Sequence, residues 1–290
     1  MTRIITSLSD ISESYDALFC DLWGCVHDGL APFAEAVTAL QAFRAKGCTV
    51  MLVTNAPRPH APVRRQLDRL GVPSDAYDGI ATSGDSARAA MLRGAVGEKV
   101  YFIGQPHDQD FFSPLELIEN PVTISHVPLE QAEGIVCCGP FDPLADPEEM
   151  RAQFLQAKTR GLKLLCANPD IVVDRGETRE WCAGALAKLY TQMGGESLYF
   201  GKPHPPIYDL ARRRLEALGK DIPDSRILCI GDGILTDIDG ALGEDLDSLF
   251  ITGGLATRET QTTDQPEPAA LMAYLTKEMR QPTYSIGKLR

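Results

Sequence analysis

Polar and charged residues recur in one kind of place along this sequence: directly after a short apolar run. Ala17-Leu18-Phe19-Cys20 ends at Asp21, and Cys48 to Val53 ends in Thr54-Asn55. Ser197 to Phe200 runs into Gly201-Lys202, and Arg226 to Ile230 opens onto Gly231-Asp232-Gly233, with Asp237 following. These residue types suit phosphoryl transfer. A carboxylate such as Asp21 can attack phosphorus and split one difficult displacement into two easier ones. Asp232 and Asp237 offer the hard oxygens that Mg²⁺ takes, and a cation there lets an anionic nucleophile approach an anionic phosphate. The Thr54 hydroxyl, the Asn55 amide and the Lys202 ammonium are donors for phosphate oxygens. Each segment alone reads as turn or cap chemistry. Two carboxylates near one strand end, however, repel each other without a cation, and four such segments in one chain carry more weight than any of them singly.

The elements that must position these residues alternate along the chain. Apolar runs of strand length fall between helix-length segments, the pattern of an α/β fold around a parallel sheet. In such a sheet all carboxyl ends lie on one edge, where ligands bind, so four distant segments would deliver their polar residues to one cleft. Helices are predicted over 33–46, 59–70, 148–159, 207–218 and 269–279. Gly47, Gly71 and Gly219 stand at helix stops, and Asp146-Pro147 stands at a helix start. Further strands are predicted at 100–103, 122–124, 134–137, 162–166 and 249–251. Asn168-Pro169-Asp170 is a turn sequence. Trp181, in the segment 180–193, reads as a packing residue, and the arginines at 58, 64, 65 and 69 read as a solvated basic face.

Taken together and in order, Phe19-Cys20-Asp21-Leu22-Trp23-Gly24, Val53-Thr54-Asn55, Gly201-Lys202-Pro203 and the stretch Gly231 to Ala241 resemble the four motifs of haloacid dehalogenase-type hydrolases. The resemblance spans nearly the whole chain. The long insertion between Asn55 and Lys202 is similar to the α/β cap of the class IIA branch, which includes sugar-phosphate and nitrophenyl-phosphate phosphatases. It implies a doubly wound, Rossmann-like core of residues 1–77 and 196–290 with a smaller α/β cap of residues 78–195, Gly79 to Ser83 being a segment that can belong to the core. It also implies Asp21 as nucleophile and metal ligand, the Trp23 backbone carbonyl and Asp232 as further Mg²⁺ ligands, and Asp237 in support. Thr54, Asn55 and Lys202 would bind the phosphoryl group, and Asn168 and Asp170 would face the substrate from the cap. By analogy with similar proteins it implies a cap-mediated homodimer.

One departure matters. The family's hydrolases carry a second Asp two residues after the nucleophile as general acid and base, and here Trp23 stands there. An indole cannot exchange that proton, and losing such a group typically costs about 10²–10⁴ in rate. His27 and Asp28 are the candidates to take over, with Gly24 and Gly29 letting the turn fold back. The expected activity is Mg²⁺-dependent hydrolysis of a small phosphorylated metabolite, such as a sugar phosphate, through an aspartyl-phosphate. The alternative is a slow or non-hydrolytic phospho-ligand-binding regulatory protein, which Trp23 favours and the retained Asp21 opposes. Metal-free carbon–halogen hydrolysis sits poorly with the acidic pair Asp232 and Asp237.

Composition narrows the partners. The chain has 290 residues, 28 Lys plus Arg against 40 Asp plus Glu, and a formal net charge of −12. Such a surface repels nucleic acid and anionic lipid, while leaving room for a small anion at a locally positive site. The N-terminal stretch lacks the apolar core of a signal peptide, and no run is long enough for a membrane helix. A cytoplasmic protein is expected. The eight cysteines show no zinc-like spacing and read as buried free thiols.

Overall fold

A computed structural model describes residues 2–113, 120–175 and 177–290. Along the chain the strands are β1 (Arg3–Ile4), β2 (Ala17–Cys20), β3 (Thr49–Thr54), β4 (Gly79–Thr82), β5 (Lys99–Ile103), β6 (Ser125–His126) and β7 (Gly134–Cys137). They continue as β8 (Lys163–Cys166), β9 (Val172–Arg175), β10 (Thr178–Trp181), β11 (Glu196–Tyr199), β12 (Ile227–Gly231), β13 (Asp247–Ile251) and β14 (Tyr284–Ile286). The α-helices are α1 (Ala34–Ala45), α2 (His60–Leu70), α3 (Ser83–Leu92), α4 (Arg151–Thr159), α5 (Ala183–Gln192), α6 (Pro205–Ala217), α7 (Asp239–Gly243) and α8 (Pro268–Glu278). Two compact units result. The first comprises Met1–Thr54, Arg64–Ala81 and Lys202–Arg290, and the second Asn55–Val63 and Thr82–Gly201.

In the first unit the described strands form one seven-stranded sheet in the order β1-β14-β13-β12-β2-β3-β4. Every residue of β2, β3 and β12 is buried. That is why these segments are continuous apolar runs rather than alternating ones: helices cover both faces of a parallel sheet. Ile207, Tyr208, Ala211 and Leu215 of α6 pack with Phe19, Met51 and Cys229 of the central strands. On another side Leu271 and Leu275 of α8 pack against Phe250. Strand β2 pairs in parallel with β3 on one side and β12 on the other. The strand order therefore reverses between β2 and β12, and a crevice opens at their carboxyl ends.

The second unit has its own five-stranded sheet, order β11-β8-β7-β5-β6, and a two-stranded antiparallel hairpin of β9 and β10. Its core gathers Ile135, Leu164, Phe154 and Tyr190, and the Tyr190 hydroxyl donates to the Leu162 carbonyl at 2.5 Å. All eight cysteines are free thiols, seven of them buried and Cys48 partly so.

Pairing moves several expected boundaries. Gly79–Thr82 lies beside β3 in the first sheet and Glu196–Tyr199 pairs with β8 in the second, and the units divide at 54/55, 63/64, 81/82 and 201/202 instead of 77/78 and 195/196. Residues 122–124 are not a strand: Val122 N–H is tied to the Leu92 carbonyl, and pairing with β5 begins only at Ser125. Trp181 ends β10, and the following helix starts only at Ala183. Helix α3 escapes a periodicity reading because its sequence, SGDSARAAML, is short-chained and buried on most sides, with Ser83 to Arg88 all inside.

Candidate active site

The parallel register explains why Asp21 and Asp232 meet. Ile230 is the partner of Cys20 across β12 and β2, and the Asp21 N–H donates to the Ile230 carbonyl at 2.8 Å. Residues directly after the two strands therefore leave the sheet side by side. Asp21 is buried, and its Oδ1 lies 2.7 Å from Lys202 Nζ. The same ammonium lies 2.6 Å from Asp237 Oδ1. Lys202 thus bridges a carboxylate on the end of β2 and one on the π-helical turn Ile234–Ile238 that follows β12.

Glycines shape this cluster. A Cβ on Gly231 would lie 2.0 Å from the Asp237 Cγ, so only glycine lets that side chain fold back to accept the Gly233 N–H at 3.0 Å. Asp232 sits between Gly24 and Gly254, where added Cβ atoms would lie 2.2 and 2.0 Å from its Oδ2. Gly24 also has φ +77, which L side chains rarely adopt. Asp232 Oδ2 accepts the Leu255 N–H at 3.0 Å.

The charge balance sets the chemistry. Three buried carboxylates face one buried ammonium, and burial disfavours the charged form of each acid. Burial, then Asp21, then Asp237, hold the Asp232 carboxyl well above its usual range. Asp237 is pushed up to about 6 by burial, with Lys202 pulling the other way. An excess of buried negative oxygen is what a divalent cation relieves. The donor set and the glycine-walled niche around Asp232 fit such an ion. Asp21, Cys25 and Asp232 offer ligand atoms within 4.8 Å of one another. Cys25 was not singled out from sequence; burial pushes its thiol well above its usual range, so it stays a neutral S–H.

The loop after Asp21 is closed by its own contacts. Trp23 meets the His27 ring edge to face at 5.2 Å, and a Cβ on Gly29 would lie 2.4 Å from the Trp23 Cζ2. His27 is buried, and its Nδ1 accepts the Gly29 N–H at 3.0 Å, which places the ring proton on Nε2. The basic nitrogen of the neutral imidazole is therefore spent on the turn. Asp28 Oδ1 accepts the Leu30 and Ala31 N–H groups, both at 2.8 Å, and these bonds hold its carboxyl below its usual range. Both residues stabilise the loop.

Thr54 is the buried last residue of β3. In the second unit, Asn55 is buried and its Nδ2 donates to Asp170 Oδ1 at 2.8 Å, while Asn168 Oδ1 accepts the Asp170 N–H at 3.0 Å.

Comparison with known proteins decides the family. A solved hydrolase of the haloacid dehalogenase-like family from Brucella suis 1330 is 40% identical, with a TM-score of 0.86 over 99% of this chain and 100% of that one. This chain belongs to the haloacid dehalogenase-like hydrolases. The family's models agree: one described as haloacid dehalogenase-like hydrolase matches residues 18–117, and one described as HAD-hydrolase-like matches 199–277. Among characterised relatives, the 5'-nucleotidase YutF of Bacillus subtilis is 25% identical over 91% of this chain and 98% of its own length. The D-glycerol 3-phosphate phosphatase of Mycobacterium tuberculosis is 27% identical over 98% of this chain and 72% of its own length. Both units take part in these matches.

In this haloacid dehalogenase-like hydrolase, sequence reasoning passed over Gly254 and the Leu255 N–H, which hold Asp232. A signal existed: Gly253-Gly254 follows β13 at the same sheet edge as Asp232, where a double glycine marks close approach rather than a plain turn.

Proposed function

We propose that this chain is a divalent-metal-dependent phosphomonoesterase acting on small phosphorylated metabolites through a phosphorylated Asp21. One observation carries the reading: Lys202 Nζ joins Asp21 and Asp237 at 2.7 and 2.6 Å beside Asp232, at the point where the sheet order reverses. A carboxylate held by an ammonium at such an edge is a nucleophile with its electrophile's counter-charge already in place.

The Asp21 carboxylate attacks phosphorus, the ester P–O bond breaks, and the leaving oxygen takes a proton from solvent water. Water then attacks the acyl phosphate, releasing inorganic phosphate and restoring Asp21. Lys202 and the Thr54 and Asn55 donors hold the phosphoryl oxygens through both steps. Asp21, Asp232 and the Trp23 carbonyl would hold Mg²⁺, with Asp237 supporting them, and the ion would supply neutralising charge for the meeting of two anions. Support for a small metabolite comes from the relatives named for nucleotide and glycerol-phosphate substrates.

Proton supply is the weak point of this site, because Trp23 has no exchangeable carboxyl, His27 Nδ1 accepts a backbone N–H, and Asp28 Oδ1 accepts two. Esters with good leaving groups need no such help. The chain should therefore hydrolyse nitrophenyl phosphate far better than alkyl phosphates. The test is phosphate release from both ester classes, with and without Mg²⁺, by wild type, Asp21→Asn and Trp23→Asp. Mg²⁺-dependent release that disappears in Asp21→Asn is the expected result. Silence of the wild type on every ester, with activity gained in Trp23→Asp, would replace this reading with a phospho-ligand-binding protein.

A further inference from the structure

Asn55 is 2% exposed, and the partner of its amide lies 115 residues later, Asp170 Oδ1 at 2.8 Å. The loop that brings Asp170 there is itself fastened. The Asp170 N–H donates to Asn168 Oδ1 at 3.0 Å, and its carbonyl accepts the Gly184 N–H at 3.1 Å. Helix α5 meets this loop so closely that a Cβ on Gly184 would lie 2.1 Å from the Pro169 carbonyl oxygen. On the other side of Asn55, a Cβ on Gly201 would lie 2.4 Å from Asn55 Oδ1 and 2.8 Å from Pro169 Cδ. A carboxylate and a glycine thus flank the amide. These contacts all lie within the second unit.

We infer that Asp170 is a positioning residue for Asn55, setting which end of the amide is offered to substrate. An amide's last torsion is broad and roughly two-fold, so oxygen and nitrogen can exchange places at little intrinsic cost. A carboxylate accepts hydrogen bonds and donates none. It therefore admits only the orientation with Nδ2 toward itself and Oδ1 toward Gly201. A donor fixed before the phosphoryl group arrives spares reorganisation during the reaction. This role differs from direct contact between Asp170 and substrate. It rests on the phosphatase reading only in giving Asn55 a phosphoryl oxygen to hold.

The experiment is a double-mutant cycle over Asn55→Ala and Asp170→Ala in the full chain with Mg²⁺. Two quantities are read: the affinity for inorganic phosphate by titration calorimetry, and kcat/KM for nitrophenyl phosphate. Asp170→Ala should weaken phosphate about 10-fold and lower kcat/KM about 100-fold, the scale of a misplaced contact. Asp170→Asn, whose amide can present either an acceptor or a donor to Asn55, should restore only part of the loss on both readouts. The double variant should be no worse than Asn55→Ala alone, since one residue acts through the other. Should Asp170→Ala fail to fold, Asp170→Glu takes its place in the cycle, because an extra methylene displaces the acceptor, and the same non-additivity is expected. Additive losses, or wild-type phosphate binding in the Asp170 variant while Asp21→Asn is inactive, would overturn the positioning role and leave the phosphatase intact. A wild type that neither binds phosphate nor releases nitrophenol overturns both.

Discussion

Both units bury charge, but they settle it differently. In the second, the Arg88 guanidinium is enclosed with Asp85, 3.4 Å away, and donates to the Phe111 and Ser113 carbonyls, so cation and acceptors balance locally. In the first, Asp21, Asp232 and Asp237 share one ammonium. Removing one partner from a buried pair is costly because the other charge is left uncompensated. An unbalanced one costs stability unless a ligand completes it. The contrast separates a buried ionic group that holds a fold from one that awaits a charge.

The largest effect that would sharpen this contrast is chemical. Asp21→Asn should lower nitrophenyl phosphate hydrolysis by about 10⁴-fold or more, as losing a nucleophile does, with the melting temperature unchanged or raised. Parity between the two rates would break the assignment. Next in size is the structural pair: Arg88→Met leaves Asp85 only the His60 ring and N–H among these partners and takes the donor from the Phe111 and Ser113 carbonyls, and should destabilise the second unit by about 1–3 kcal/mol. Denaturant unfolding measures this, and a loss below about 1 kcal/mol would mean the pair is not what balances that interior.

The opposite sign is expected at Asp232. Asp232→Asn removes one of three crowded carboxylates and should stabilise the metal-free protein by about 1 kcal/mol, while abolishing the stabilisation that added Mg²⁺ gives the wild type. Because burial raises the folded-state pKa of Asp232, the folded protein holds that proton more tightly than the unfolded chain does. The group thus favours folding at low pH, and this contribution is lost as pH rises through the folded pKa. The advantage of the Asn variant should therefore widen with rising pH in thermal melts. An advantage that shrinks as pH rises would refute the crowding account. A kinetic effect is expected at the loop: Trp23→Asp should raise alkyl phosphate hydrolysis by about 10²-fold relative to nitrophenyl phosphate hydrolysis, the ratio of the two being the readout.

Much of this was legible in the linear order of residues. Ala17-Leu18-Phe19-Cys20 had to be an interior strand because nothing in it tolerates water, and a parallel interior strand ends in the crevice where Asp21 stands. The same reasoning placed Thr54 and Asp232 but not Lys202, which follows a strand of the second sheet, and the motif order named the family that the comparisons bear out. Trp23 was visible as a departure at once, since side-chain chemistry needs no coordinates.

Other features depend on contacts between distant positions and carry no local signature. Periodicity could not say that Gly79–Thr82 joins the first sheet and Glu196–Tyr199 the second, because a strand's partner is chosen by long-range pairing and not by its own composition. Nor could sequence say that His27 Nδ1 and Asp28 Oδ1 accept backbone N–H groups, or that Gly254 makes room for Asp232. Residue type and strand-end position determined which groups carry charge to the sheet edge. The tertiary structure alone decided how those charges balance, because Coulomb energy and desolvation depend on separations and burial that only the folded chain possesses.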